Sequence, residues 1–361
     1  MDVYILDSEF NKVGVLDKYS SLIWTDRFAS YGDFKLKIDP REKYADKLVR
    51  GGYLSNGLRS MEEYGRELMR IETVEKKAGM LNVSGRSLVS FLLDRVIGSA
   101  LNIGSYDYDN GGLYPPRMVL YELVNNACNA ALMHADDKIP HIYVVSHATD
   151  TPVIDVVVKG GTVYQRVKET ADAYDIGFSM YYKRDPSWAD GIYNIVFDSY
   201  FGVNRTSQQL AVPEVIFGES LDTLTNTTEL LSEQDYKNVA YVFGKDLSIS
   251  IGIGDGARVT GFDRRVLAVE ATDITGTTTK ARENLTNRGI AELKKYNRVN
   301  AFDGELVLPL KYVYGVDYFM GDIVELRSAS GTKSFRRVTE FIRASDASGE
   351  RSFPTLTEID E

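Results

Sequence analysis

Apolar and polar residues alternate along Phe34-Lys35-Leu36-Lys37-Ile38, which predicts a strand with one buried face. Strand-like runs fill the first 85 residues, and Met69–Glu75 and Met80–Ser84 flank a hairpin-like turn at Lys76-Lys77-Ala78-Gly79. Helical spacing then takes over. Ser87 is placed to cap a helix carrying Leu88, Phe91, Leu92 and Val96 on one face. Pro115-Pro116 starts a longer helix with Leu120, Leu123, Ala127 and Ala131 inward. Two apolar runs follow, Ile142–Val145 and Val153–Val158. Thr162 and Gln165 have capping-box spacing before a stripe of Tyr164, Val167, Ala171 and Tyr174. Strands are expected at Phe178–Lys183 and Ile192–Phe197.

Residues 219–235 are polar and threonine-rich and read as a loop or linker. Beyond them, Val239–Ile253 and Arg258–Val269 read as strands turning through Gly252–Gly256. A second linker leads to a helix whose stripe is Ala281, Leu285, Gly289, Leu293 and Tyr296. The tail is β again, at Phe302–Leu310, Tyr318–Leu326, Ser334–Arg343 and Ser352–Glu358. This order predicts a β-rich α+β fold.

A Gly-Asp pair opens two of these strands, Gly32-Asp33 after Tyr31 and Gly321-Asp322 after Tyr318-Phe319-Met320. Glycine reaches positive φ without a Cβ clash, and aspartate can accept hydrogen bonds from its own turn, so both pairs read as strand entries. Their recurrence suggests two similar β units, a scaffold more than a catalyst.

Composition narrows the function. The 361-residue chain exceeds what one core usually serves, so several subdomains are expected. Its 42 basic and 52 acidic residues leave a net charge of −10, which disfavours a sequence-reading nucleic-acid binder. The 23 tyrosines and 15 phenylalanines suit half-buried strands and contact surfaces. With Cys128 as the one cysteine, no intrachain disulfide can form. The N-terminal residues lack the pattern of a signal peptide, and no apolar run has transmembrane length.

Candidate chemistry is sparse. His134, His141 and His147 share one window with Asp136 and Asp137, but at spacings that fit neither a helical nor a tight strand ligand pair. Asp107 and Asp109 begin a calcium-loop-like stretch that fails at Gly111 and Met118. The glycines of Gly252–Gly256 lack the following Gly-Lys-Ser/Thr of a phosphate loop. Cys128 sits on a helix stripe, and acidic pairs such as Glu62-Glu63 are unplaced. Trp24 and Trp188 are candidate sugar-stacking platforms or packing residues. No catalytic, cofactor or metal residue is assigned.

Several of these segments together resemble the tail-tip or baseplate hub proteins of long-tailed phages infecting Gram-positive bacteria. They are Val3–Asp7 and Gly14–Ile38, Val83–Leu88, Lys237–Val242, Arg264–Val269, Asp317–Leu326 and the closing Phe353-Pro354-Thr355, in order along nearly the whole chain. One departure is the ending, where Leu356-Thr357 follows in place of an early glycine. Hub proteins often continue into regions with wall-hydrolysing or fibre domains; any such activity is expected from another polypeptide.

The resemblance implies a non-enzymatic homotrimeric ring closing the distal end of the tail tube, through which DNA passes as non-specific cargo. It implies two β-barrel-like domains per subunit: residues 1–85 with 206–272, and 301–361, with 86–205 an inserted α+β domain and 273–300 a linker and helix. Implied partners are the chain itself, tail-tube and distal tail proteins, and downstream fibre, spike or receptor-binding proteins. No cofactor is implied. The implied location is the virion tail tip, after assembly in the bacterial cytoplasm. Trp24, Tyr31, Arg264, Arg265 and Tyr318 are the candidate interface residues, beside the strand-entry residues Gly32, Asp33, Gly321 and Asp322. A cell-wall carbohydrate-binding module, resting on the aromatic excess, is the alternative, and a carboxylate-dependent wall hydrolase a third reading.

Overall fold

The computed structural model describes residues 1–56, 66–97, 114–131, 134–150, 160–184, 193–253, 256 and 258–359. The chain forms two compact units. The first comprises Met1–Ile216, Leu310–Glu325 and Phe335–Glu361, and the second Phe217–Pro309 and Leu326–Ser334.

An antiparallel sheet organises the first unit. Its N-terminal strands are β1 (Val3–Leu6), β2 (Lys12–Leu16), β3 (Ser21–Arg27), β4 (Asp33–Ile38) and β5 (Tyr53–Ser55). A two-residue strand, β6 (Arg66–Glu67), precedes the hairpin of β7 (Met69–Lys77) and β8 (Met80–Ser87). Two strands near the other end of the chain join it: β19 (Lys333–Asp346) pairs β3 in a run of β19-β3-β4-β8-β7-β5-β1-β2, and β20 (Gly349–Glu358) pairs β19 off that run. The alternation in β4 works as expected: Phe34, Leu36 and Ile38 are buried while Lys35 and Lys37 face solvent. They join Val3, Ile5, Leu22, Trp24 and Met69 in one core. The β7–β8 turn places Ala78 and Gly79 at φ 49° and 80°, the double left-handed turn that matches strand twist.

An α+β layer follows. It contains a 3-10 helix at Leu88–Asp94, α1 (Pro116–Val124) running into a π-turn at Asn125–Asn129, and α2 (Val163–Ala173). Its sheet has the order β6-β10-β11-β9, where β9 is Ile142–Val144, β10 Ile176–Arg184 and β11 Tyr193–Phe201. The first predicted stripe is buried, at Leu120, Leu123, Ala127 and Ala131; of the second, Val167 and Ala171 are buried, Tyr164 is half-buried and Tyr174, just past the helix end, is exposed. Thr162 accepts from the Gln165 amide at 3.2 Å, but the Gln165 side chain turns to Glu169, so only half of the capping box forms. Ser87 does not cap the helix expected after it. It ends β8, and its hydroxyl accepts from Gly32 N at 3.0 Å.

In the second unit, β14 (Val239–Gly244) pairs antiparallel with β15 (Ser248–Gly252) and parallel with β16 (Val266–Ala271). The expected long hairpin through Gly252–Gly256 is therefore replaced by a tighter one, closed by Gly244 N donating to Leu247 O at 2.9 Å. Helix α3 (Thr279–Leu293) buries Ala281, Leu285, Gly289 and Leu293, as its stripe predicts. Gly289 has a packing reason, since a Cβ there would lie 2.6 Å from both Ile251 Cδ1 and Val242 Cγ2. Thr278 caps α3 by accepting from Ala281 N at 3.2 Å. Thr278→Ala is expected to cost about 1 kcal/mol, read as a lower urea midpoint for this unit; an unchanged midpoint would leave the cap without energetic weight.

The polar stretch expected to be a linker is a strand, β13 (Leu224–Ser232), paired with β17 (Val299–Leu306). Its side chains are mostly exposed, so it has no inward face and no period-two signature. The remaining strands, β12 (Ile216–Gly218) and β18 (Ile323–Arg327), span junctions between the segments of the two units.

The described strands form open sheets, with no closed barrel among the described residues. Leu310–Glu325 and Phe335–Glu361 belong to the first unit. Arg27–Ser21 of β3 pairs in register with Glu340–Asp346 of β19, because the outer edge of β3 needs a hydrogen-bonded neighbour. The two units divide at 216–217 and again near 309, 325 and 334.

Candidate functional site

The Gly321-Asp322 corner gathers a buried polar network in the first unit. Gly321 has φ +87°, the left-handed region that glycine enters without strain. The carboxylate of Asp322, only 2 % exposed, accepts from Val203 N at 2.8 Å, Phe319 N at 3.0 Å and Arg205 Nε at 2.5 Å. Three charge-assisted bonds satisfy a charge that burial would otherwise penalise. The backbone is stitched as well: Ile323 N donates to Val203 O at 2.9 Å and Arg205 N to Ile323 O at 2.8 Å. Glu325, fully buried, accepts from Ser207 N at 3.0 Å and from the Ser207 hydroxyl at 2.5 Å. Arg337 donates to Gly321 O at 3.2 Å and pairs with Asp175 at 3.2 Å. The site is a clasp between residues 202–207 and 321–325.

Gly32-Asp33 is built differently. Gly32 needs no positive φ; a Cβ there would meet Thr25 O at 2.4 Å. Asp33 pairs with Arg27 at 2.8 Å, and Arg27 reaches Glu340 at 2.7 Å. Both corners open strands, but one relies on left-handed backbone and the other on close approach, so they are not copies of one local device.

The candidate interface residues scatter. Trp24 is fully buried, stacked on Phe34 with centroids 5.9 Å apart, and donates to Asp26 Oδ1 at 2.9 Å. Asp26 also binds Arg343 at 2.5 Å, tying β3 to β19. Tyr318 is fully buried, edge-on to Tyr314 at 5.6 Å. Neither side chain is exposed, because both are buried within the first unit. Tyr31 is half-buried between Arg86, 5.3 Å from its ring, and Tyr164 at 5.4 Å. Arg264 and Arg265 are half-buried in the second unit. Arg264 lies 6.0 Å from the Tyr241 ring, and Arg265 pairs with Glu233 at 3.5 Å, lining a polar recess of about 390 Å³.

Other sequence candidates hold no assembled chemistry. His134 accepts from Asp136 N at 3.2 Å, and His147 Nε2 contacts Asp198 at 2.9 Å. Among the described residues no group of three or more His, Cys, Asp or Glu could hold a metal. Burial pushes the Cys128 thiol up to about 12, leaving almost no thiolate at neutral pH. No helix among the described residues is long and apolar enough to cross a membrane. Trp188, Glu62-Glu63, Asp107, Asp109 and the Val153–Val158 run lie outside the described residues.

One ion pair gives a pH signature. Arg117 chelates Asp150, with Nη2 to Oδ1 at 2.7 Å, and also donates to Ser199 O at 3.0 Å. The guanidinium hydrogen bonds hold the Asp150 carboxyl below its ordinary range. A depressed folded-state pKa stabilises above the unfolded value and is lost as pH falls through the folded one. Asp150→Asn is expected to lower Tm at pH 7, with the gap narrowing below about pH 4. A gap of constant size across that range would remove the ion pair as its cause.

Residues 2–356 match the profile of the siphovirus ReqiPepy6 Gp37-like protein family. The chain belongs to this family. No curated protein matches the sequence. Among solved structures, the prophage MuSo2 43 kDa tail protein from Shewanella oneidensis is similar at TM-score 0.51 and 10% identity, covering 99% of this chain and 98% of that one. Prophage tail protein gp18 from Listeria monocytogenes EGD-e is similar at TM-score 0.51 and 10% identity, covering 100% and 95%. At such identity the likeness establishes a shared fold for this Gp37-like protein.

The clasp residues Arg205, Glu325 and Arg337 escaped the sequence reading. Their partners are remote in the chain, with Arg205 bonding Asp322 across 117 positions. A faint signal did exist for Trp24, since Leu22, Trp24 and Asp26 share one face of a strand.

Proposed function

We propose that this Gp37-like protein is a structural, non-enzymatic component of the phage tail tip or baseplate. It forms a homotrimeric hub ring that closes the distal end of the tail tube and lets DNA pass during infection. The observation that carries this reading is the fold shared with two prophage tail proteins over 99–100% of this chain. In this reading the hub contacts tail-tube and distal tail proteins on one side and fibre, spike or receptor-binding proteins on the other. Acidic residues facing the lumen would let DNA slide without displacing counterions, in keeping with the net charge of −10. A host among Gram-positive bacteria, assembly in its cytoplasm and barrel-like packing of the β units within the ring belong to the same proposal. The cell-wall carbohydrate-binding alternative loses one of its two tryptophans, because Trp24 is fully buried.

Size-exclusion chromatography with light scattering, on the purified chain alone and with its tail-tube protein, tests the ring. A trimer and threefold rings in negative-stain images are expected. A strict monomer in both conditions, with no ring beside the tube, would overturn the reading. Labelling the chain in intact particles should place density at the tail end distal to the capsid.

A further inference from the structure

In the first unit, the loop before β2, the 3-10 helix and the approach to β9 enclose a half-open cleft of about 510 Å³. Its floor is apolar, supplied by Phe10, Tyr53, Phe91 and Ile139. Phe10 packs on Tyr53 with ring centroids 4.8 Å apart. Three cations, Arg70, Arg95 and Lys138, stand around this floor against a single acid, Glu9.

Arg95 is held by neutral carbonyls, Nε to Asp137 O at 2.9 Å and Nη1 to Asp94 O at 3.1 Å. Arg70 lies over the Phe91 ring at 5.2 Å, a contact that leaves its N–H edge available. Lys138 is exposed. None of the three forms an ion pair among the described residues. Two lining residues also hold costly backbone: Phe10 at φ 64° and His141 at φ 57°. Bulky side chains rarely occupy that region, and such strain gathers where geometry is kept for binding.

We propose that this cleft binds an acidic peptide segment of a partner protein, seating an apolar or aromatic side chain on the floor. Flanking carboxylates pair with Arg70, Arg95 and Lys138. Charge complementarity selects the occupant: guanidinium forks match carboxylates, and the apolar floor separates a peptide from a simple anion. A nucleic acid would need a broad basic surface, which three cations around an apolar pit do not make. The inference stands independently of assembly into a tail ring.

The test is selection from a bead-displayed hexapeptide library with the full-length protein, followed by fluorescence polarisation with the enriched peptides. Enriched sequences should combine two or more Asp or Glu with an aromatic residue or leucine. Lys138→Glu and Arg70→Glu should each weaken binding about tenfold, with thermal melts confirming that the variants are folded. Should Arg70→Glu not fold, Lys138→Glu alone decides. The Asn/Gln analogue of an enriched peptide should lose binding similarly. Enrichment without acids, equal binding by Lys138→Glu, or an acid-only peptide with glycine spacers binding as tightly would each overturn the proposal.

Discussion

Asp322→Ala is expected to destabilise the first unit by about 3–5 kcal/mol, the range for breaking a buried ion pair by deleting one partner. The loss is more than one bond. Arg205, with its side chain 12 % exposed, keeps its charge with no carboxylate beside it, and the Val203 and Phe319 amides lose their acceptor. Urea denaturation followed by tryptophan fluorescence reads the change, since Trp24 is buried in the core of the first unit. Asp322→Asn should cost less, because one carbonyl oxygen can still accept from Val203 N. In a double-mutant cycle with Arg205→Met, the two losses should be strongly non-additive. A cost below about 1 kcal/mol for Asp322→Ala, the worth of an exposed pair, would show that the clasp contributes little.

Gly202→Ala should be comparably severe, for a steric reason. A Cβ at position 202 would sit 1.7 Å from Gly321 O and 2.2 Å from Gly321 C, neither of which belongs to a side chain that could rotate away. Residues 202–207 must therefore move off the corner, weakening the amide ladder that binds the two segments. The expected cost is about 3 kcal/mol or more, seen as a large drop in Tm or loss of soluble protein. Gly79→Ala is the informative control: its φ of +80° strains any side chain, but nothing lies within 4 Å of the added carbon. That variant should lose only about 1–2 kcal/mol. Equal losses at both sites would mean that backbone conformation, not close approach, sets the cost at Gly202.

What the sequence disclosed depends on how local the cause is. β4 and α3 were legible because burial of Phe34, Leu36 and Ile38, or of Ala281, Leu285 and Leu293, writes a period into neighbouring residues. Thr162 and its cap were legible for the same reason, the bond spanning three positions. β13 left no such trace, since its partner β17 stabilises the backbone while the side chains stay in solvent. The Gly321-Asp322 pair was legible only as a turn. Its aspartate is fixed by residues 117 and 119 positions away, and no pattern within a window of ordinary length encodes that meeting. Of the two roles open to Trp24 in the sequence, packing is the one its place beside Leu22 and Asp26 on one strand face realises in this fold.

The pairing of β3 with β19 has a consequence for synthesis. Arg27 and Glu340 are bonded across 313 positions, so the edge of β3 stays open while everything between is made. At the usual pace of translation that interval is roughly 15–60 s. During it, a nascent chain presents an unpaired edge that invites strands from neighbouring copies on the same message. Closure of the β3 edge is thus postponed until Asp346 has left the ribosome, and crowded polysomes favour strand exchange between adjacent chains.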